Sequence, residues 1–232
     1  MKYLLLLVLL SFGFQTISFA QDNEAMEESL DTKYREDQFY FGVSYNLLRK
    51  MPSDMAQNGF SSGFHLGFIR DMPVNTSRTV AFGIGLGYSG NAINQNLYIS
   101  KDSQNNLNYT VVESGSFSKN KITMHLVELP FEFRWRSSTA ESYKFFRIYP
   151  GFKIGYLFAS SIKYKGDLGE FKLRNIDDFN DFQYGFTLSA GYDKFNAHIY
   201  YALNSIFKDQ AKLNSQTLQT SIIKIGLMLY IL

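Results

Sequence analysis

Val80-Ala81-Phe82-Gly83-Ile84-Gly85-Leu86-Gly87-Tyr88 decides how this chain folds. Every second residue is bulky and apolar or aromatic, and every residue between is Gly or Ala. A period of two sends Val80, Phe82, Ile84, Leu86 and Tyr88 to one face and Ala81, Gly83, Gly85 and Gly87 to the other. A helix would scatter both sets around its axis, so the pattern predicts a strand over residues 79–90.

Seven similar segments surround it, at residues 39–49, 60–70, 122–136, 144–164, 182–192, 196–207 and a last one running to Leu232. In the first, Phe39, Phe41, Val43, Tyr45 and Leu47 oppose Tyr40, Gly42, Ser44 and Asn46. In the second, Phe64, Leu66 and Phe68 oppose Gly63, His65 and Gly67. Their connections alternate in length. Asp71-Met72-Pro73, residues 137–143 and Asp193-Lys194 mark short ones, whereas residues 91–121 and 165–181 are long. The second long loop holds the acidic cluster Asp177, Asp178 and Asp181. Short turns on one side and long loops on the other are the layout of an outer-membrane barrel. The segments reach the roughly 9–11 residues that a tilted strand needs to cross a bilayer. Only helices and closed barrels satisfy every backbone group there. The expectation is an all-β, eight-stranded antiparallel up-and-down transmembrane β-barrel over residues 39–232. Within the first long loop, Leu97, Ile99, Tyr109, Val111 and Val112 are expected to extend the flanking strands. That loop reads equally as a docking surface or as a solvated hairpin.

Upstream, residues 1–20 read as an export signal, with Lys2, the apolar run 4–10 and the small-x-small site Ser18-Phe19-Ala20. Residues 21–38 are acidic, with Asp22, Glu24, Glu27, Glu28, Asp31, Glu36 and Asp37, and read as a periplasmic linker. Both termini are thereby expected in the periplasm. Cys is absent, which excludes a disulfide framework and thiol chemistry. Residues 21–232 hold 22 basic and 21 acidic residues, a balance without the basic bias of a nucleic-acid binder.

A soluble eight-stranded barrel would turn its apolar face inward. An eight-stranded interior is just wide enough for side chains or one small ligand, and these aromatic rows would overfill it. The bulky face therefore points to lipid. Glu128, Glu132 and Arg134 lie opposite Val127, Leu129, Phe131, Phe133 and Trp135. Arg147 and Lys153 lie opposite Phe146, Ile148, Phe152 and Ile154, and Lys224 lies opposite Ile223 and Ile225. These six charges are expected to form a structural ion-pair network that fills a closed lumen. Paired carboxylates can also do acid–base work, but a network is the simpler reading.

Other motifs dissolve into this pattern. Gly85-x-Gly87-x-x-Gly90 has the spacing of a dinucleotide loop but is followed by Asn91-Ala92-Ile93-Asn94, with no helix. His65, His125 and His198 sit on three strands without metal-ligand spacing. No nucleophile elbow is present. No catalytic residue, cofactor, metal or small-molecule substrate is expected.

Leu126-Val127-Glu128-Leu129-Pro130-Phe131-Glu132-Phe133-Arg134-Trp135 resembles the Leu-Glu-x-Pro strand of PorT-type outer-membrane barrels, and Tyr149-Pro150-Gly151-Phe152-Lys153-Ile154-Gly155 is similar too. The resemblance covers residues 39–232. It implies a non-enzymatic accessory component of type IX protein secretion, a system linked in some bacteria to gliding motility, acting through contacts with other secretion components. The alternative is a small surface barrel for adhesion or envelope stability.

Overall fold

A computed structural model describes residues 37–137 and 145–231. The export segment, nearly all of the acidic linker and the turn at 138–144 lie outside the described residues.

The strands in chain order are β1 (Gln38–Arg49), β2 (Ser62–Pro73), β3 (Val80–Asn94), β4 (Leu97–Lys101), β5 (Leu107–Val111), β6 (Phe117–Arg136) and β7 (Phe146–Gly166). They continue with β8 (Gly169–Arg174), β9 (Phe182–Tyr192), β10 (Phe195–Ala202), β11 (Lys212–Leu213), β12 (Gln216–Thr217) and β13 (Ser221–Ile231). Eight of them close a ring, each antiparallel to the next: β1, β2, β3, β6, β7, β9, β10 and β13, with β13 returning to β1. Closure leaves the ring without an edge, as hydrocarbon demands.

Alternation assigns the faces as the composition requires. Leu86 is 59 % exposed and Leu227 58 %, whereas Ala81 is 0 % exposed between outward neighbours. Phe41, Ile84, Leu129, Phe131, Phe186 and Ile225 continue the exposed belt around the ring. Near its long-loop side lie Tyr45, Tyr88, Tyr156, Tyr184 and Tyr201; near the side of the termini lie Phe39, Trp135, Tyr192 and Phe195. In water such a surface would be an aggregation hazard; as a lipid-facing wall with aromatic girdles it is at equilibrium. Leu86→Arg is expected to cost about 2–4 kcal/mol of barrel stability, read by refolding into lipid vesicles. Refolding indistinguishable from the parent would place Leu86 off the lipid face. Gly85→Ala is no neutral control, because a Cβ there would press against the backbone oxygen of Phe68.

Inside, the small residues make room for large ones. A Cβ on Gly67 or Gly87 would collide with the Tyr40 hydroxyl, which lies across the lumen floor between them. Gly90 belongs to the other face of β3, so the three glycines of the Gly-x-Gly-x-x-Gly match do not share a surface. Pro130 points into the lumen of β6, and the ladder to β3 skips from Ile84↔Phe131 to Gly87↔Glu128. The missing proline N–H faces that gap, with Gly85 beside the ring.

The long connections depart from expectation. Leu97, Ile99, Tyr109 and Val111 do not extend the barrel strands; β4 and β5 pair with each other as a separate hairpin. The strands are lengthened instead by Gly90–Asn94 of β3 and Phe117–Lys121 of β6. The loop expected over residues 165–181 contains β8, which folds back on β7 and takes the place of β9 along its upper half. Strand β10 stops at Ala202, short of residue 207, because Ile206 and Phe207 turn inward and are 1 % exposed.

Candidate functional site

The lumen has two charged layers under an apolar cap. Along the inward face of β6, passing away from the termini, the residues are Arg136, Arg134, Glu132, Pro130, Glu128, Leu126, Met124 and Ile122. The order is set by depth: ionic near the termini, hydrocarbon toward the long loops.

The layer nearest the termini is built around Asp71. Its carboxylate accepts from Arg134 Nη1 at 2.8 Å and from Arg136 Nη1 and Nη2 at 2.8 and 2.7 Å. Arg134 also donates to Glu132 at 3.2 Å and to the Gln38 side-chain oxygen at 2.6 Å, and its guanidinium lies 4.6 Å from the Tyr149 ring centre. Tyr230 donates to Glu132 at 3.3 Å. Such bidentate, charge-assisted contacts are the strong ones.

The second layer is built around Glu128. Lys153 Nζ lies 2.8 Å and Lys224 Nζ 3.8 Å from its oxygens, and Ser89 donates at 2.7 Å. Both ammonium groups stand 5.0 Å from the ring centre of Tyr200. Between the layers, Tyr40, Ile69, Pro130, Thr187 and His198 leave a cavity of about 10 Å³, room for a single water. The charged lumen side chains Glu128, Glu132, Arg134, Arg136, Arg147, Lys153 and Lys224 are 0–7 % exposed, so among the described residues no water-filled channel runs past them.

Four of the six charges named from sequence, Glu128, Lys153, Lys224 and Arg134, are thus joined directly to a carboxylate or an ammonium, and Glu132 is joined to Arg134. Arg147 stands differently. It faces the lumen but meets neither glutamate; it stacks 4.5 Å from the Phe145 ring centre, and its Nε and Nη1 have no hydrogen-bond partner among the described residues. Asp71 and Arg136 complete the layer nearest the termini but are not among the six. By composition Asp71 reads as part of a turn, although alternation through His65, Gly67 and Ile69 already points it inward. The histidines do not converge: His65 bonds Ser44, His198 bonds Ser189, and His125 faces outward against Tyr88 at 2.7 Å. Among the described residues no three His, Cys, Asp or Glu form a metal-sized cluster.

The cap is a second core. Leu48, Ile93, Leu97, Ile99, Ile122, Met124, Ile162, Phe179, Phe207 and Leu218 pack together, drawn from strand ends and from every long connection. The acidic cluster of the second long loop is divided in it. Asp178 accepts from Tyr109 at 2.6 Å and from Gln210, while Asp181 pairs with Lys208 at 3.1 Å. Burial, and then the bond to Asp178, push the Tyr109 phenol above its usual range, so it stays a donor.

A closed eight-stranded ring with a lipid-facing belt, a filled ionic lumen and a folded cap defines a transmembrane β-barrel. Residues 19–208 match the family described as outer membrane protein beta-barrel domain, and the chain belongs to that family. The fold and the family place it in the outer membrane, surrounded by lipid. No curated protein matches the chain. A solved structure described as "Asymmetric conductivity of engineered proteins" is similar at 8 % identity, covering 85 % of this chain and 99 % of that one, at a TM-score of 0.20. That likeness carries no weight for the fold.

Proposed function

We propose that the barrel is an accessory component of type IX protein secretion, acting through protein contacts in assembling or maintaining the translocon. One observation carries the non-transport half of this reading: the lumen is packed with buried ionic side chains and topped by a hydrocarbon cap. A barrel that passes nothing works through its rims and surfaces. The secretion half is supported by the Leu126–Trp135 strand and its likeness to PorT-type barrels. Residues 1–20 serve as the export signal and 21–38 as a periplasmic linker, which puts both termini in the periplasm and the cap outside. The protein performs no chemistry on a substrate.

The cap also favours a second reading, a surface barrel for adhesion or envelope stability, because it presents a folded face to the exterior. Deleting the gene in the native host and comparing secreted proteins separates the two. Cargo retained in the periplasm behind an intact envelope supports secretion. Normal secretion transfers the assignment to the surface barrel.

A further inference from the structure

Beyond the apolar belt on the long-loop side, the outer face of the wall made by β6, β7 and β8 is cationic. The strand registers set the charges in rows. Lys121 opposes Lys163, which opposes Lys172; Lys119 opposes Lys165, which opposes Glu170; Arg174 opposes Ser161. Six cations therefore share this face with one carboxylate, Glu170, at 3.6 Å from Lys163 and 3.5 Å from Lys165. Those two ion pairs are half-exposed and contribute little. Like charges directly across a sheet are destabilising, and Lys121, Lys163 and Lys172 form an uninterrupted row of them. An external anion would remove that cost.

Position says which anion. Down the outward face of β6 from Lys121 come Thr123, His125 and then Val127, the first residue of the exposed belt. Successive outward residues are about 7 Å apart, so the cations stand at the level of lipid headgroups. Beneath them a groove of about 640 Å³ crosses the outer wall, lined by Val43, Tyr45, Phe64, Ala92, Thr123 and His125. It exists because the outward residues there, Ser62, Gly90, Ala92 and Thr123, are small. Groove and patch adjoin: Ala92 opposes Thr123, and Asn94, the next outward residue, opposes Lys121.

We propose that this surface holds a membrane lipid with a phosphorylated headgroup, its phosphate among Lys121, Lys163, Lys172 and their neighbours and an acyl chain in the groove. A free anion would have no use for the groove, and a neutral lipid none for the lysines. An acidic protein would not be restricted to the membrane boundary. The inference rests on the outer-membrane placement and is independent of any role in secretion. With the cap outside, as proposed above, the lipid belongs to the outer leaflet.

The full barrel in neutral detergent is titrated by native mass spectrometry with lipid A bearing its phosphates, with dephosphorylated lipid A, with inorganic phosphate and with polyglutamate. Retention of the phosphorylated lipid is expected, about a hundredfold weaker in the triple variant K121Q/K163Q/K172Q. That variant removes repulsions, so it keeps the heat-dependent gel shift of a folded barrel. K101Q, on the β4–β5 hairpin, is expected to bind as the parent does. Ala92→Trp, which fills the groove from outside, is expected to weaken lipid retention as well. Equal retention of both lipids, or unchanged retention by the triple variant, overturns the phosphate site. Displacement of the lipid by inorganic phosphate alone, or retention of polyglutamate in preference to lipid, overturns the lipid as occupant.

Discussion

Glu128→Ala lowers the unfolding free energy of the barrel by about 3–5 kcal/mol. The residue is 2 % exposed and holds Lys153 at 2.8 Å and Lys224 at 3.8 Å. Neither ammonium can reach bulk water past the apolar cap above or the Asp71 layer below. Taking away the carboxylate leaves two buried cations 5.0 Å from the same tyrosine ring centre, a cost set by desolvation rather than by the lost attraction. Trp135, the one tryptophan of the chain, lies on the lipid face and reports unfolding by fluorescence in vesicles without a label. The triple variant Glu128→Gln/Lys153→Met/Lys224→Met recovers most of the loss, because replacing every member of a buried ionic group is close to neutral. An unfolding midpoint unmoved by Glu128→Ala means that water enters the lumen at this depth and the layer is not buried in solution.

The barrel was legible in the sequence because lipid and lumen impose opposite demands on adjacent residues. In Val80–Tyr88 the two demands alternate without a break, and the strand bounds read from that rhythm fall within five residues of those observed, the largest misses being the start of β6 and the end of β10. The rhythm fails where the environment changes. At Leu126-Val127 both faces of β6 become apolar, since the lumen there is cap and the exterior is still hydrocarbon. In β7 a bulge opposite His125-Leu126 reverses the inward set. Up to Leu157 the odd residues face in; from Ser160 the even ones do, so Ile162 and Tyr164 are buried. A single period cannot describe such a strand. Leu97 and Ile99 alternate as a barrel strand would, yet they serve a separate hairpin, because the cap supplies an apolar core outside the membrane.

The site was legible to the same degree and for the same reason. Charges within clean alternation, such as Glu128, Glu132 and Lys224, are placed in the lumen by period alone. Which charge meets which is a matter of register and stagger between strands distant in sequence, and nothing in a single strand records it. Arg147 illustrates this: its face is as expected, but its neighbours are rings and not carboxylates.

Asp71 was hidden by its company. Asp-x-Pro after an arginine has the composition of a turn, and only continuation of the β2 alternation through Ile69 places its side chain inward. The structure makes it the carboxylate shared by Arg134 and Arg136, both 0 % exposed, with its own backbone N–H bonded to the Asp37 side chain at 2.7 Å. Asp71→Ala is therefore expected to cost about 3–5 kcal/mol, as much as the loss of Glu128 despite lying in a stretch that reads as a connection. Asp71→Asn keeps the shape and two acceptor lone pairs but not the charge, and falls between the two. The same vesicle unfolding measurement separates this from a turn residue, whose replacement by Ala moves stability by no more than about 0.5 kcal/mol. A change of that size would return Asp71 to the connection and leave Glu132 as the carboxylate that organises this end of the lumen. A loss matching that of Glu128→Ala, with additive effects in the double variant, would mean that the two ionic layers are separate units. Their centres, Asp71 and Glu128, share no residue in their ion pairs, so additivity is the expected outcome.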